Sequence, residues 1–320
     1  MTILRFVLEC WLAAAMVVLW LPVGALAMLL MDRLFTTGWS RPLVAELAAV
    51  TATLPVAALA FLPVLLGAGL VYPWMHEVKP DKAFWLAPWF FTGRTVVCLL
   101  VWWLLGRLAR RPGMGRGAAA GGLIVLGLTV TVAGIDWMMS LEPEFASSAY
   151  GLLLLTAAAQ AGFAGALVLR LRDGPPPEPE QLGHMGSLLL TLVLSWAYIA
   201  FMQYLVVWSG NKPHLVSWYL ARGGAPWGWL AWALVFLKGV LPFAALLFPP
   251  ARRSPRVLGA LCLLILAGHA VDMLWLVLPA FREHAAWHLL LALLFSGALA
   301  LTGRGLLRRK NRWVEAPGHG

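Results

Sequence analysis

The sequence predicts an all-α integral membrane protein: about nine transmembrane helices, two four-helix bundles related by a parallel repeat, and one extra N-terminal helix. Three observations predict it. The 320-residue chain is 61% hydrophobic and only 12% charged, with a mean hydropathy of +0.81. A soluble domain carries roughly 25% charged residues. Apolar runs of about 20 residues, the length that crosses a bilayer core as a helix, recur along the chain. Two aspartates then lie inside apolar runs in matching contexts, Asp136-Trp-Met-Met-Ser-Leu-Glu-Pro143 and Asp272-Met-Leu-Trp-Leu-Val-Leu-Pro279.

Taken in order, the runs place spans at about 7–31, 43–71, 85–106, 118–139, 147–169, 185–208, 227–248, 257–279 and 285–303. Helices are expected because a spanning segment must satisfy its own backbone hydrogen bonds. The short alternating segments of a β-barrel are missing from the pattern. The first run resembles a signal peptide, with Arg5 and the small-residue pattern Ala25-Leu26-Ala27. The apolar stretch continues through Leu30, longer than a signal core, so it is read as an uncleaved helix. The predicted organisation is an N-terminal helix (1–42), a first bundle (43–170), a Pro/Glu-rich linker (171–184), a second bundle (185–303) and a basic tail (304–320).

The net charge of +10 is unevenly spread. Arg107, Arg110, Arg111 and Arg116 follow span three; Arg170 and Arg172 follow span five; Arg252, Arg253 and Arg256 follow span seven. Arg304, Arg308, Arg309, Lys310 and Arg312 form the tail. With nine spans these all fall on one side. The opposite loops hold only Lys79, Lys82, Lys212, Arg222 and Arg282. The positive-inside rule puts the C-terminus in the cytoplasm and the N-terminus outside. The basic balance therefore reads as orientation and contact with anionic lipids, not as nucleic-acid binding. Cys10, Cys98 and Cys262 sit in apolar spans without metal spacing, so no metal site is expected.

The aspartates are 136 residues apart, and other features fall near that offset. Span two ends in Tyr72-Pro73-Trp74 and span six in Trp208-Ser-Gly-Asn211. After each come an outer loop, a helix, an Arg-rich loop, the Asp-bearing helix and a fourth helix. Each unit holds an even number of spans, so the repeat is parallel.

An ionisable group within a span is costly and marks a candidate site. Asp136 and Asp272 lie toward the outer ends of their helices, where a carboxyl can exchange protons with the surface. Lys238, in mid-span seven, has Asp272 as its obvious partner. His269, three residues before Asp272, shares its helix face. These four, with Glu142, are the proton-path candidates. Arg94 and Glu46 lie on neighbouring predicted helices and are a possible pair if their depths match. Arg94, Gln203, Trp208, Asn211 and Trp275 are candidates for quinone or helix contact. Gln160 reads as a hydrogen-bonding link between helices. P-loop, Gly-x-Gly-x-x-Gly, Gly-x-Ser-x-Gly and His-Glu-x-x-His motifs are absent from the sequence.

Gly134-Ile-Asp-Trp-Met-Met-Ser-Leu-Glu-Pro143 resembles the signature of the F-type membrane subunit of bacterial alternative complex III, in the NrfD/PsrC-like superfamily. Tyr72-x-Trp74, Phe90-Phe91-x-x-Arg94, Tyr198-x-x-Phe201-x-Gln203-Tyr204, Trp208-Ser-Gly-Asn211, Trp218-Tyr219, Arg222, Leu241-Pro242-Phe243 and His269-x-x-Asp272-x-x-Trp275-x-x-x-Pro279 extend the likeness across residues 70–280. The resemblance implies two four-helix bundles in a bacterial inner-membrane subunit of a quinol oxidoreductase. It implies partner subunits (NrfD-like, iron–sulfur, c-haem, or a terminal oxidase) that carry the electrons. It also implies a chain without its own redox centre, contributing proton conduction or structural support, with quinone, quinol or lipid as its noncovalent ligand. The chain departs from the family in its shorter length, in the lack of a tenth span and in Lys238. The alternatives are a secondary transporter built on a parallel repeat and a purely structural or assembly subunit.

Overall fold

The computed structural model describes residues 2–35, 41–76, 83–111, 113–281 and 285–314, and side chains only to residue 301. Lys79, Lys82, Arg282, the side chains of the basic tail and residues 315–320 lie outside the described residues. Among the described residues, eight helices are long and apolar enough to cross a membrane, and Ala285–Leu301 is a shorter apolar stretch. The chain is thus the all-α, polytopic protein of about nine spans that the apolar runs predict.

The helices are α1 (Ile3–Leu34), α2 (Val44–Leu66), α3 (Pro88–Ala109), α4 (Arg116–Trp137), α5 (Tyr150–Asp173), α6 (Pro179–Gly210), α7 (Pro213–Gly223), α8 (Trp227–Leu247), α9 (Pro255–Val277) and α10 (Ala285–Val314). Several start with proline in the first turn, where no N–H is needed. α6 ends on Asn211 in the left-handed conformation, φ 44°. Helical structure runs deep into the predicted 171–184 linker: α5 reaches Asp173 and α6 begins at Pro179. Pro179 opens a helix there instead of breaking one. α2 is not continuous. Turns at Ala52–Thr53 and Phe61 precede Pro55 and Pro63, which cannot donate to the preceding turn. Trp11 of α1 supplies a donor at the second break, bonding the Ala60 carbonyl at 2.7 Å.

α1 is the central helix of the molecule. It packs against α2, α4, α5, α9 and α10, and 78% of its most apolar window is buried. The contact with α5 is backbone to backbone. A Cβ on Gly24 would sit 1.6 Å from the Ala158 carbonyl oxygen, and one on Gly162 would sit 2.1 Å from the Ala25 nitrogen. Lipid is as apolar as leucine, so such small-residue contacts, with their tight van der Waals packing, specify helix pairs in membranes. α2, α3, α4 and α5 pack in sequence around the first half. In the second half α6 packs on α8 and α8 on α9, while α10 lies against α1, so α5 reaches across to both α6 and α9. The two halves of the chain therefore attach to α1 and α5 as a common spine. The Arg-rich connections gather at one end: Arg33 donates to the Ala109 carbonyl at 3.1 Å, Arg170 approaches Glu46, and Arg252 donates to Ser187 at 2.8 Å.

Replacing Gly162 with leucine is expected to cost at least ~3 kcal/mol, because the obstacle is backbone that cannot rotate away. Gly127→Ala, where an added Cβ meets nothing within 4 Å, is expected to be neutral or to gain up to ~1 kcal/mol of helix propensity. Thermal unfolding in detergent separates the two, and equal melting temperatures would refute the backbone contact.

Candidate functional site

Each half holds one buried carboxylate matched by one cation on the preceding spanning helix. In the first half, Asp136 sits in the last turn of α4, where the helix dipole disfavours a negative charge. Arg94 of α3 compensates with two hydrogen bonds, Nε to Oδ2 at 2.6 Å and Nη2 to Oδ1 at 2.9 Å. Arg94 also donates to the Trp85 carbonyl at 2.8 Å and lies 4.1 Å from the ring centres of Trp85 and Phe90. Trp85 Nε1 completes the carboxylate shell at 3.1 Å. The Arg94–Glu46 pairing left open by the sequence is not formed. Glu46 instead meets Arg170, at 3.6 Å, because both lie at the opposite end of the bundle.

In the second half, Lys238 of α8 donates to Asp272 of α9, as the sequence predicts, and both are buried. The local backbone is adapted to this. Val235–Val240 forms one π-helical turn, a wider coil often found at functional positions. Gln160 Nε2 reaches over from α5 to the Lys238 carbonyl at 3.3 Å. Gly268 of α9 lets the helices close up, since a Cβ there would lie 3.0 Å from Lys238 Cβ. The ammonium also lies 4.5 Å from the Trp196 ring centre. His269 does not join the pair: its Nε2 faces the Val17 carbonyl of α1 at 3.3 Å, and its buried Nδ1 has no hydrogen-bond partner.

Two further pairs were not singled out by sequence reasoning. Arg222 on α7 donates to Glu142 at 2.6 Å, to the Leu276 carbonyl at 3.2 Å and to the Trp218 carbonyl at 3.0 Å. Its guanidinium lies 3.6 Å from the Trp218 ring centre. Burial pulls the Arg222 pKa below its ordinary value, against the raising pull of Glu142, and an arginine stays charged under such a shift. Glu142 thus ties the turn after α4 to α7 and α9. The other pair is Glu9 with His288, 2.9 Å apart and fully buried, with Arg5 donating to the second Glu9 oxygen at 2.8 Å. It joins α1 to α10. Glu9 could have been found by the rule applied to the aspartates, since it too is a carboxylate in an apolar run.

The five residues read as quinone or helix contacts do not form one pocket. Arg94 is committed to Asp136. Gln203 accepts from Ser147 at 2.9 Å and donates to the Tyr219 hydroxyl at 3.3 Å. Trp208 and Asn211 are exposed at the end of α6, and Trp275 packs edge-on against Trp218, 5.5 Å between ring centres. These residues do not fit as a quinone site, and no step is assigned to a quinone here. Among the described residues, no group of three or more His, Cys, Asp or Glu side chains is placed to hold a metal ion. Comparison with known protein families and with curated proteins finds no match.

A carboxylate stripped of its buried cation costs about 3–5 kcal/mol, whereas replacing both partners by apolar groups is often neutral or stabilising. Arg94→Met alone is therefore expected to lower the unfolding free energy by that amount, and Arg94→Met with Asp136→Leu to recover most of it. A double variant no better than the single one in thermal unfolding would show that the pair does not act as a unit.

Proposed function

We propose that this chain is a membrane subunit of a respiratory quinol oxidoreductase, without a redox centre of its own, in which Lys238 and Asp272 handle protons and Arg94 and Asp136 hold the corresponding place in the first half as a fixed charge pair. The observation that carries the reading is the recurrence of a buried carboxylate–cation pair at matching helices of the two units. The Asp136–Pro143 stretch and its resemblance to the F-type subunit of alternative complex III support the assignment to such a complex. The same resemblance supports an inner-membrane setting beside NrfD-like, iron–sulfur and c-haem partners. The Arg-rich connections support a cytoplasmic C-terminus.

The two pairs differ in chemistry. Arginine cannot give up its proton in a protein, and its planar fork locks Asp136 from two sides. Lysine is a single-point donor whose proton can pass to a facing carboxylate when both are buried, leaving two neutral groups. Asp272 lies about 10 Å of helix from Pro279 at ~1.5 Å per residue, toward the C-terminal end of α9.

A purely structural role is the second reading, favoured by the bidentate geometry at Arg94. The transporter alternative expects helix breaks at corresponding positions of the repeat. α2 is broken while its counterpart α6 runs unbroken for 32 residues, and the π turn of α8 is not matched in α3.

Lys238→Arg separates a proton role from a structural one, because it keeps the charge pair but not the labile proton. In the purified complex it is expected to retain folding and to slow quinol-driven proton release about tenfold, a step of ~1.4 kcal/mol in the barrier. Asp272→Asn is expected to do the same, and Asp136→Asn to lower stability with turnover retained. Wild-type quinol turnover and proton release in both Lys238→Arg and Asp272→Asn would overturn the proton role.

A further inference from the structure

A cleft of about 770 Å³ lies between α1, α2, α5, α9 and α10, where the two halves meet. Its size falls in the roughly 300–1,000 Å³ range of ligand sites. The walls are mainly alanine, valine and leucine side chains, Ala57 and Leu293 among them. His269 lines the deep part and Glu46, Arg170, Arg172 and Asp173 line the mouth, at the end that gathers the Arg-rich connections. From Glu46 to Ala60 the cleft follows α2 for about 20 Å at ~1.5 Å per residue. That exceeds one leaflet of a ~30 Å hydrocarbon core.

The mouth is chemically incomplete. Arg170 Nη1 and Glu46 Oε1 are 3.6 Å apart, beyond ordinary hydrogen-bond length. Glu46 Oε2 and Arg170 Nε are shielded from solvent, and neither has a hydrogen-bond partner. One is a free charged acceptor and the other a free charged donor, side by side. Arg172 and Asp173 stand half-exposed beside them, 3.9 Å apart. The two signs balance, so a purely anionic head would meet Glu46 and Asp173 unfavourably, and a purely cationic head would meet the arginines. A phosphate can accept from the Arg170 and Arg172 guanidinium groups while an N–H-bearing ammonium donates to the Glu46 carboxylate. A trimethylated ammonium has no hydrogen to donate.

We propose that this cleft binds one phospholipid with a zwitterionic phosphate–primary ammonium headgroup, of the phosphatidylethanolamine type, with its head at Glu46 and Arg170 and an acyl chain laid along α2 toward His269. The lipid fills the seam between the two halves. This site stands apart from the proton-handling pair and does not depend on it.

The test is lipid retention by the purified full chain in detergent, measured by native mass spectrometry and thermal shift. Phosphatidylethanolamine, phosphatidylcholine and phosphatidylglycerol with matched acyl chains are supplied in turn. Only phosphatidylethanolamine offers both the phosphate and an N–H-bearing ammonium, so it is expected to be retained about tenfold or more above the other two. Glu46→Gln is expected to remove that preference, and Arg170→Gln to weaken retention of all three lipids. Gly297→Phe places a ring in the cleft at a position where a Cβ meets nothing within 4 Å; it is expected to abolish retention while leaving lipid-free melting near wild type. It decides the matter if the charge variants do not fold. Equal retention of the three lipids, a preference for phosphatidylglycerol, a co-purifying quinone in their place, or unchanged binding in Gly297→Phe would each overturn the proposal.

Discussion

A carboxylate held in a hydrocarbon layer needs a cation within hydrogen-bond reach, and here that need sets which helices touch. Asp136 draws α3 to α4 through Arg94, and Asp272 draws α8 to α9 through Lys238. Glu142 draws α7 onto the turn after α4 through Arg222, and Glu9 draws α10 onto α1 through His288. Each tie joins elements that apolar packing alone would leave free to slide. Leucine against leucine gains little over leucine against lipid, so apolar contact sets neither depth nor register. A bonded charge pair sets both.

The ties join helices pair by pair through side chains, and the spine works by a different principle. α1 and α5 approach until glycine is the only residue that fits at Gly24 and Gly162. That closeness frees α5 to contact α4, α6 and α9 as well as α1, which is how one helix serves both halves. The cleft is the other consequence. Where α1, α2, α5, α9 and α10 surround a common volume lined by small residues, they leave a space that protein side chains do not fill.

Helix number and placement were legible in the sequence because apolar length has a direct physical meaning in a bilayer. The run read as 118–139 is the helix Arg116–Trp137, and the run read as 257–279 is Pro255–Val277. Asp136, Asp272 and Lys238 stood out for the same reason, and the Lys238–Asp272 pair followed from their places on neighbouring helices. Arg94 was harder. Two carboxylates, Glu46 and Asp136, were within a helix of it, and only the relative depth of α2, α3 and α4 chooses between them. The linker misled because its composition is polar, yet Pro179 is compatible with a first helical turn. The α1–α5 contact and the π turn at Lys238 were not legible. The first depends on which distant helices meet, and the second on a shift of backbone register that side-chain identity does not announce.

The two ion pairs also explain why the halves are alike in plan and unlike in detail. A planar guanidinium meeting a carboxylate edge to edge needs a straight helix and a flanking surface, and α3 with Trp85 and Phe90 provides both. A lysine reaches its partner through one flexible stem from a helix that must come closer, and α8 does this through a widened turn, with Gly268 opposite. Pro242, four residues on, has no N–H to offer the Lys238 carbonyl, and Gln160 of helix α5 donates to it. The second pair is thus accompanied by a widened turn in one helix, a glycine on a second and a side-chain donor from a third. The second-half pair sits where the backbone has already departed from regularity, with a π turn at Lys238 and Gly268 opposite it.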